Sequence, residues 1–208
     1  MVLEICFVVM LSIGVAALFW LMVRQSSEKI VRQYRKIAQQ LKIDLTEPTP
    51  QLAGFIRAEP FVHGVYRQRE LSISVPGKGL QNTRQIETII KVQVDDESFT
   101  WQTTAAGLLG GLRQRDSGSK QRWLSGDSLF DSAIDVRTND DVRLARLFDS
   151  DRRALIATVL KDSKGIIAQG GGVLSFSEFG LIADDTKRER FLQLAELICD
   201  LAESVESR

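Results

Sequence analysis

Cysteine is nearly missing from this 208-residue chain: Cys6 lies at the start of an apolar run and Cys199 in a helical pattern near the end. So placed, the two are poorly suited to form a disulfide, which fits a body kept in a reducing compartment. Histidine is scarcer still, with His63 alone. A hydrolase that needs an imidazole to activate a serine has a single candidate base to draw on. Neither sign of charge is in excess, with 27 basic and 27 acidic side chains. That balance argues against a nucleic-acid partner, which takes a basic face. There is no internal repeat, no long low-complexity tract and no Gly-x-x-x-x-Gly-Lys loop for a nucleotide. The expectation is no cofactor and no resident metal.

Charge is also missing from one continuous stretch, residues 5–23, which contains Ile5, Phe7, Leu11, Leu18, Phe19, Trp20 and Val23. As a helix it reaches roughly 28 Å, about the thickness of bilayer hydrocarbon. The preceding Met1-Val2-Leu3-Glu4 is not basic, and Ala16-Ala17 is followed by further apolar residues, so a cleavable secretory signal is not expected. The reading is a single retained membrane span. Arg24, Lys29, Arg32, Arg35 and Lys36 follow it whereas only Glu4 precedes it, a bias that favours a cytoplasmic body on the inner membrane, with a periplasmic or extracellular body as the alternative.

Beyond the span, the expected organisation is an amphipathic stalk helix over residues 24–45, a proline-containing linker over 46–52 and one α+β domain over 53–208. The stalk carries Ile30, Val31, Tyr34, Ile37, Ala38 and Leu41 at helical spacing. That stripe either packs back on its own domain or forms a short self-associating coil. Pro48 and Pro50 stop the helix. Leu71, Ile73 and Val75 alternate with serines up to a Pro76-Gly77-Lys78-Gly79 turn, and Ile86 to Val94 alternates apolar with polar. Phe99, Trp101 and Thr103 are expected to return as the hairpin partner of that second strand, across a turn at Asp95 to Ser98. The Gly-rich residues 106–118 read as a loop or as a short helix with a loop, and Phe130 to Val136 as another strand. Asn139 is the expected cap of the first of two short helices, 140–148 and 151–160. Strands around 166–168 and 173–176 flank Gly170-Gly171-Gly172. An amphipathic helix closes the chain, capped at Asp184 or Asp185 and apolar along Phe191, Leu194, Ala195, Ile198, Leu201 and Val205. Antiparallel strands with helices late in the order define the α+β class, with the last helix across the sheet.

Candidate chemistry is sparse. Gly126-Asp127-Ser128-Leu129 spells the signature of the Gly-Asp-Ser-Leu hydrolases, yet those need a histidine downstream of the serine and His63 lies upstream. Asp127, Asp131 and Asp135 do not follow a calcium-loop spacing, and on a strand Asp131 and Asp135 would stand about 13 Å apart, too far for one ion. Gly126, Asp127, Phe130 and Asp131 read instead as a structural turn: Gly126 allows a positive φ, Asp127 bonds turn amides and Phe130 enters the core. The longer run Gly126-Asp127-Ser128-Leu129-Phe130-Asp131 resembles a Gly-Asp-x-x-Phe-Asp element of bacterial single-span membrane proteins of uncharacterised function. The resemblance covers residue 54 onward; it implies an anchored α+β domain and no activity. Arg24, Arg32, Arg113, Arg115, Lys120 and Arg122 are candidates for contact with lipid or an acidic partner. With no converging acid, base or nucleophile, the expected function is a non-catalytic, membrane-anchored protein-binding or assembly subunit, with membrane lipid and a membrane-protein partner or a second copy as its contacts. The alternatives are a membrane-tethered enzyme with an unrecognised carboxylate site and a small-ligand sensor.

Overall fold

The computed structural model describes residues 2–49, 59–75, 86–107, 120–163 and 165–206. The Pro76 to Gly79 turn, most of the 106–118 loop with Arg113 and Arg115, and residues 50–52 of the expected linker lie outside the described residues.

One helix, α1, runs unbroken from Val2 to Leu41. Its first half is long and apolar enough to cross a membrane, and Phe7, Leu11, Leu18 and Phe19 are all more than half exposed there. Its second half does something else. Val31, Tyr34, Ile37, Ala38 and Leu41 are buried in the core of the domain, so the amphipathic stripe packs back on its own chain and is not left over for a coil.

The helix ends at Lys42, whose φ is +55°, and the Ile43 amide bonds back to the Ala38 carbonyl. Among the described residues nine strands follow: β1 (Asp44–Thr46), β2 (Phe61–Tyr66), β3 (Arg69–Ser74), β4 (Glu87–Gln93), β5 (Trp101–Ala105), β6 (Gln121–Trp123), β7 (Ile134–Thr138), β8 (Ile166–Gly170) and β9 (Val173–Phe179). They form one antiparallel sheet in the order β1-β2-β3-β4-β9-β8-β5-β7-β6. Between strands lie the helices α2 (Ser128–Ala133), α3 (Asp141–Leu147) and α4 (Ser150–Ser163), and α5 (Asp185–Glu206) closes the chain.

The register sorts the two faces cleanly. One lateral row runs Leu45, Val62, Ile73, Ile90, Phe176, Ile167, Thr103, Val136, Trp123. From Val62 onward every member is buried, and α5, α1 and α4 cover this face. The neighbouring row on the opposite face runs Asp44, His63, Ser72, Lys91, Ser175, Ala168, Gln102, Arg137, Arg122, and none of its members is fully buried. Alternation with a period of two makes one sheet apolar on the helix side and polar on the other. Near the far edge of the core, Trp101 and Trp123 each meet the Phe148 ring edge-on, at 5.2 and 5.9 Å between centroids.

The α+β class with an N-terminal apolar helix, an antiparallel sheet and a C-terminal helix on the sheet is observed. Three local expectations are corrected. Phe130 to Val136 is not one strand: α2 occupies Ser128–Ala133 and β7 begins at Ile134, because Asp127 caps a helix and turns Phe130 inward. The cap of α3 is Asp140, bonding the Arg143 amide at 3.0 Å, not Asn139. Asn139 instead ties the adjoining loop, accepting from the Thr100 amide and donating to the Ser98 carbonyl. Finally, β5 pairs with β7 and β8 and not with β4. The Asp96 carboxylate takes the Ser98 amide and hydroxyl, the Phe99 amide and an Arg143 ion pair, so the 95–98 segment carries the chain away from β4.

Candidate functional site

The Gly126–Asp131 element folds as a self-satisfied knot. Gly126 takes φ of +81°, a left-handed conformation natural for glycine. Asp127 accepts from the amides of Leu129 and Phe130. Asp131 accepts from the Ser125 amide at 2.9 Å, the Ser125 hydroxyl at 2.8 Å and the Gly126 amide at 3.1 Å. Desolvation pushes the Asp131 carboxyl upward, but those three bonds outweigh it and hold it below the usual range. Asp135, on β7, pairs with Arg122 at 3.5 Å and Arg137 at 3.6 Å. The carboxylates considered for catalysis or metal are thus spent on the loop and on arginines. Among the described residues no group of three His, Cys, Asp or Glu side chains is placed to hold a metal. Ser128 opens α2 beside β7 while His63 sits on β2, six strands away in sheet order, so the two do not converge.

Of the basic candidates, Arg24 pairs with Glu28 at 2.9 Å and lies over the Trp20 ring, whereas Arg32 is exposed on α1. Arg122 reaches the Asp131 carbonyl as well as Asp135. Lys120 is half-buried, and desolvation lowers its pKa.

Sequence reasoning missed the joint between α1 and α5. The guanidinium of Arg188, only 7% exposed, donates to the Gln33 side chain at 2.9 Å and pairs with Asp185. Asp185 also pairs with Lys36 at 2.9 Å, and Arg35 holds Glu47 beyond the helix end. Tyr34 is buried beside Thr88 at the same end of the sheet, where Thr88 donates to the Gly180 carbonyl; burial pushes the Tyr34 hydroxyl up to about 12. At the opposite end, Arg67 on the β2–β3 turn bonds Glu196, Asp200 and Glu203 of α5. Both residues of that turn, Arg67 and Gln68, have positive φ (50° and 65°), so the grip on α5 is paired with left-handed backbone at non-glycine positions.

The polar face of the sheet carries a second feature, a groove of about 520 Å³ at the Gln93 end of β4. Its walls include His63, Glu70, Ser72, Lys91, Gln93 and Glu97. The rim is the β8–β9 turn, where Gly171 and Gly172 take φ of +58° and +73° and the Val94 amide bonds the Gly172 carbonyl at 2.9 Å. A side chain at Gly172 would press on Glu97 and on the Val94 carbonyl, both at 3.3 Å. The polar positions of β4 are visible in the sequence; the pairing that sets Lys91 beside Ser72 and Ser72 beside His63 is not.

No protein-family model matches the chain, and no curated protein matches its sequence. Among solved structures it is similar to the mycobacterial trehalose monomycolate transport factor A, TtfA, with a TM-score of 0.58 at 12% identity, covering 84% of this chain and 95% of that one. At that identity the likeness is one of fold.

Proposed function

We propose that this chain is a non-catalytic accessory subunit, anchored by one membrane span, whose α+β body binds other proteins and organises a complex at the membrane. One observation carries the reading: the same uninterrupted helix is the apolar span and a core element of the body. A tethered enzyme benefits from a flexible leash that lets it search for substrate. Here seven helical residues, a rise of about 12 Å, separate Val23 from the first buried stalk residue, Val31. The body is therefore held at fixed height and fixed rotation, as a part that arranges its neighbours requires. The basic residues that follow the span favour a cytoplasmic body on the inner membrane. The similar fold of a protein described as a transport factor supports an accessory role beside a membrane transport system.

Extraction and mass measurement test this. After alkaline carbonate washing of native membranes the chain should stay in the pellet. After mild solubilisation it should run at a defined mass above its own 23.3 kDa, either with a partner in fixed ratio or as a defined self-assembly. Release by carbonate, or a monomer alone, counts against the proposal.

A further inference from the structure

The groove on the polar face holds charges that the fold does not use. The side chains of Lys91, Glu70 and Glu97 line it, and none of the three forms an ion pair or side-chain hydrogen bond with another described residue. Elsewhere on the molecule comparable groups are committed: Asp96 to Arg143, Glu178 to Lys187 and Arg190, Glu206 to Arg69, and three carboxylates to Arg67. Around the free charges stand the polar side chains of His63, Ser72 and Gln93. The volume falls within the roughly 300–1,000 Å³ typical of small-molecule sites.

We propose that this groove binds a small zwitterion of the amino-acid class, its ammonium group facing Glu70 and Glu97 and its carboxylate facing Lys91 and Ser72. The charge pattern selects against the other ligand classes. A phosphate or nucleotide would meet two carboxylates that line the same groove, a repulsive arrangement. A neutral polyol would satisfy Ser72 and Gln93 but leave three charges without counter-ions, whereas a zwitterion supplies one group of each sign and gains charge-assisted hydrogen bonds at both. The place in the fold selects the source. The stalk docks at the Glu87 end of β4, where Gln33, Arg188 and Thr88 gather, whereas the groove lies at the Gln93 end beside Gly172. The site therefore faces away from the anchor and samples the aqueous phase, not the headgroups of its own membrane.

The test uses the full chain in polyoxyethylene-detergent micelles, with thermal unfolding and titration calorimetry read against the standard L-amino acids, one at a time, at about 10 mM. Phosphoethanolamine, acetate and methylammonium serve as comparison probes. At least one amino acid should raise the midpoint by a few degrees, while acetate and methylammonium, each carrying one charge, should not. Lys91→Met and Glu70→Gln, both exposed on the sheet, should each weaken that binding at least about tenfold and leave the unliganded midpoint unchanged. Binding by no amino acid overturns the proposal. So does binding by phosphoethanolamine alone, which would assign the groove to lipid, and so does equal binding by the two variants.

Discussion

Removing the chain before Arg24 should leave a folded domain, whereas removing it before Asp44 should not. The difference is residues 24–43, the docked part of α1. Val31, Tyr34, Ile37 and Leu41 are between 0 and 6% exposed in the core. At about 1.5–3 kcal/mol for each large apolar side chain fully buried, the four contribute roughly 6–12 kcal/mol, an upper bound because an unfolded chain already hides some apolar surface. A domain of this size has a net stability of only about 5–15 kcal/mol. The Lys36–Asp185 pair is solvent-exposed and screened, so packing decides the outcome. Loss of the segment would also leave the guanidinium of Arg188 without its Gln33 partner in a newly opened cavity. The assay is urea unfolding followed by tryptophan fluorescence, since Trp101 and Trp123 both pack on Phe148 and report the core directly. The chain beginning at Arg24 should show one cooperative transition. The chain beginning at Asp44 should show none, or one whose midpoint has collapsed. Retention of the same midpoint without α1 would refute the assignment of the stalk to the core.

Three further outcomes follow from the same packing. Asp96 has its carboxyl held well below the usual range by Ser98 first and Arg143 next. A depressed folded value means its stabilisation is complete above the unfolded value of about 3.9 and is lost as pH falls below it, so Asp96→Asn should lower stability at neutral pH and flatten acid unfolding below about pH 4. The Tyr34 hydroxyl is buried without a hydrogen bond of good geometry among the described residues. Tyr34→Phe should therefore change urea stability by less than about 0.5 kcal/mol or raise it, while Tyr34→Ala should cost about 3–5 kcal/mol. At Gly165, a methyl group would come within 2.5 Å of the Phe176 ring, so Gly165→Ala should cost about 1–3 kcal/mol by overpacking, read as a lowered melting temperature.

Periodicity carried much of the fold into view. The β4 alternation, the stalk stripe and the apolar face of α5 each reappear as buried residues, because one-dimensional spacing reports which side chains share a face. Pairing was opaque for a physical reason. Every strand here has two polar-to-apolar faces of the same kind, so nothing local distinguishes β3 and β9 from β5 as neighbours of β4; the choice is made by the 95–98 segment and by α2 to α4, which carry the chain across the sheet. At Phe130 the alternation was misleading, since a single capping carboxylate, Asp127, converts the residues before β7 into a helical turn. The groove was legible only as scattered polar letters, Lys91 and Gln93 on one strand and Glu70 and Ser72 on another, until the register brought them together.

The helix α1 imposes a constraint that neither half of it would impose alone. An apolar span by itself lets an attached domain swivel, and a docked stalk by itself says nothing about a membrane. Joined without a break, they put Gln33, Tyr34 and Lys36 on the same helix as the apolar segment, and those residues touch the start of α5 and the Glu87 end of β4. At its far end α5 is gripped by Arg67 from the β2–β3 turn, which adjoins the groove through Val65 and Glu70. The docked stalk at its start and the β2–β3 turn beside the groove towards its far end thus both hold α5. Between those two contacts α5 has no glycine or proline, and Phe191, Leu194, Ile198 and Leu201 pack it along the sheet in the close-packed core.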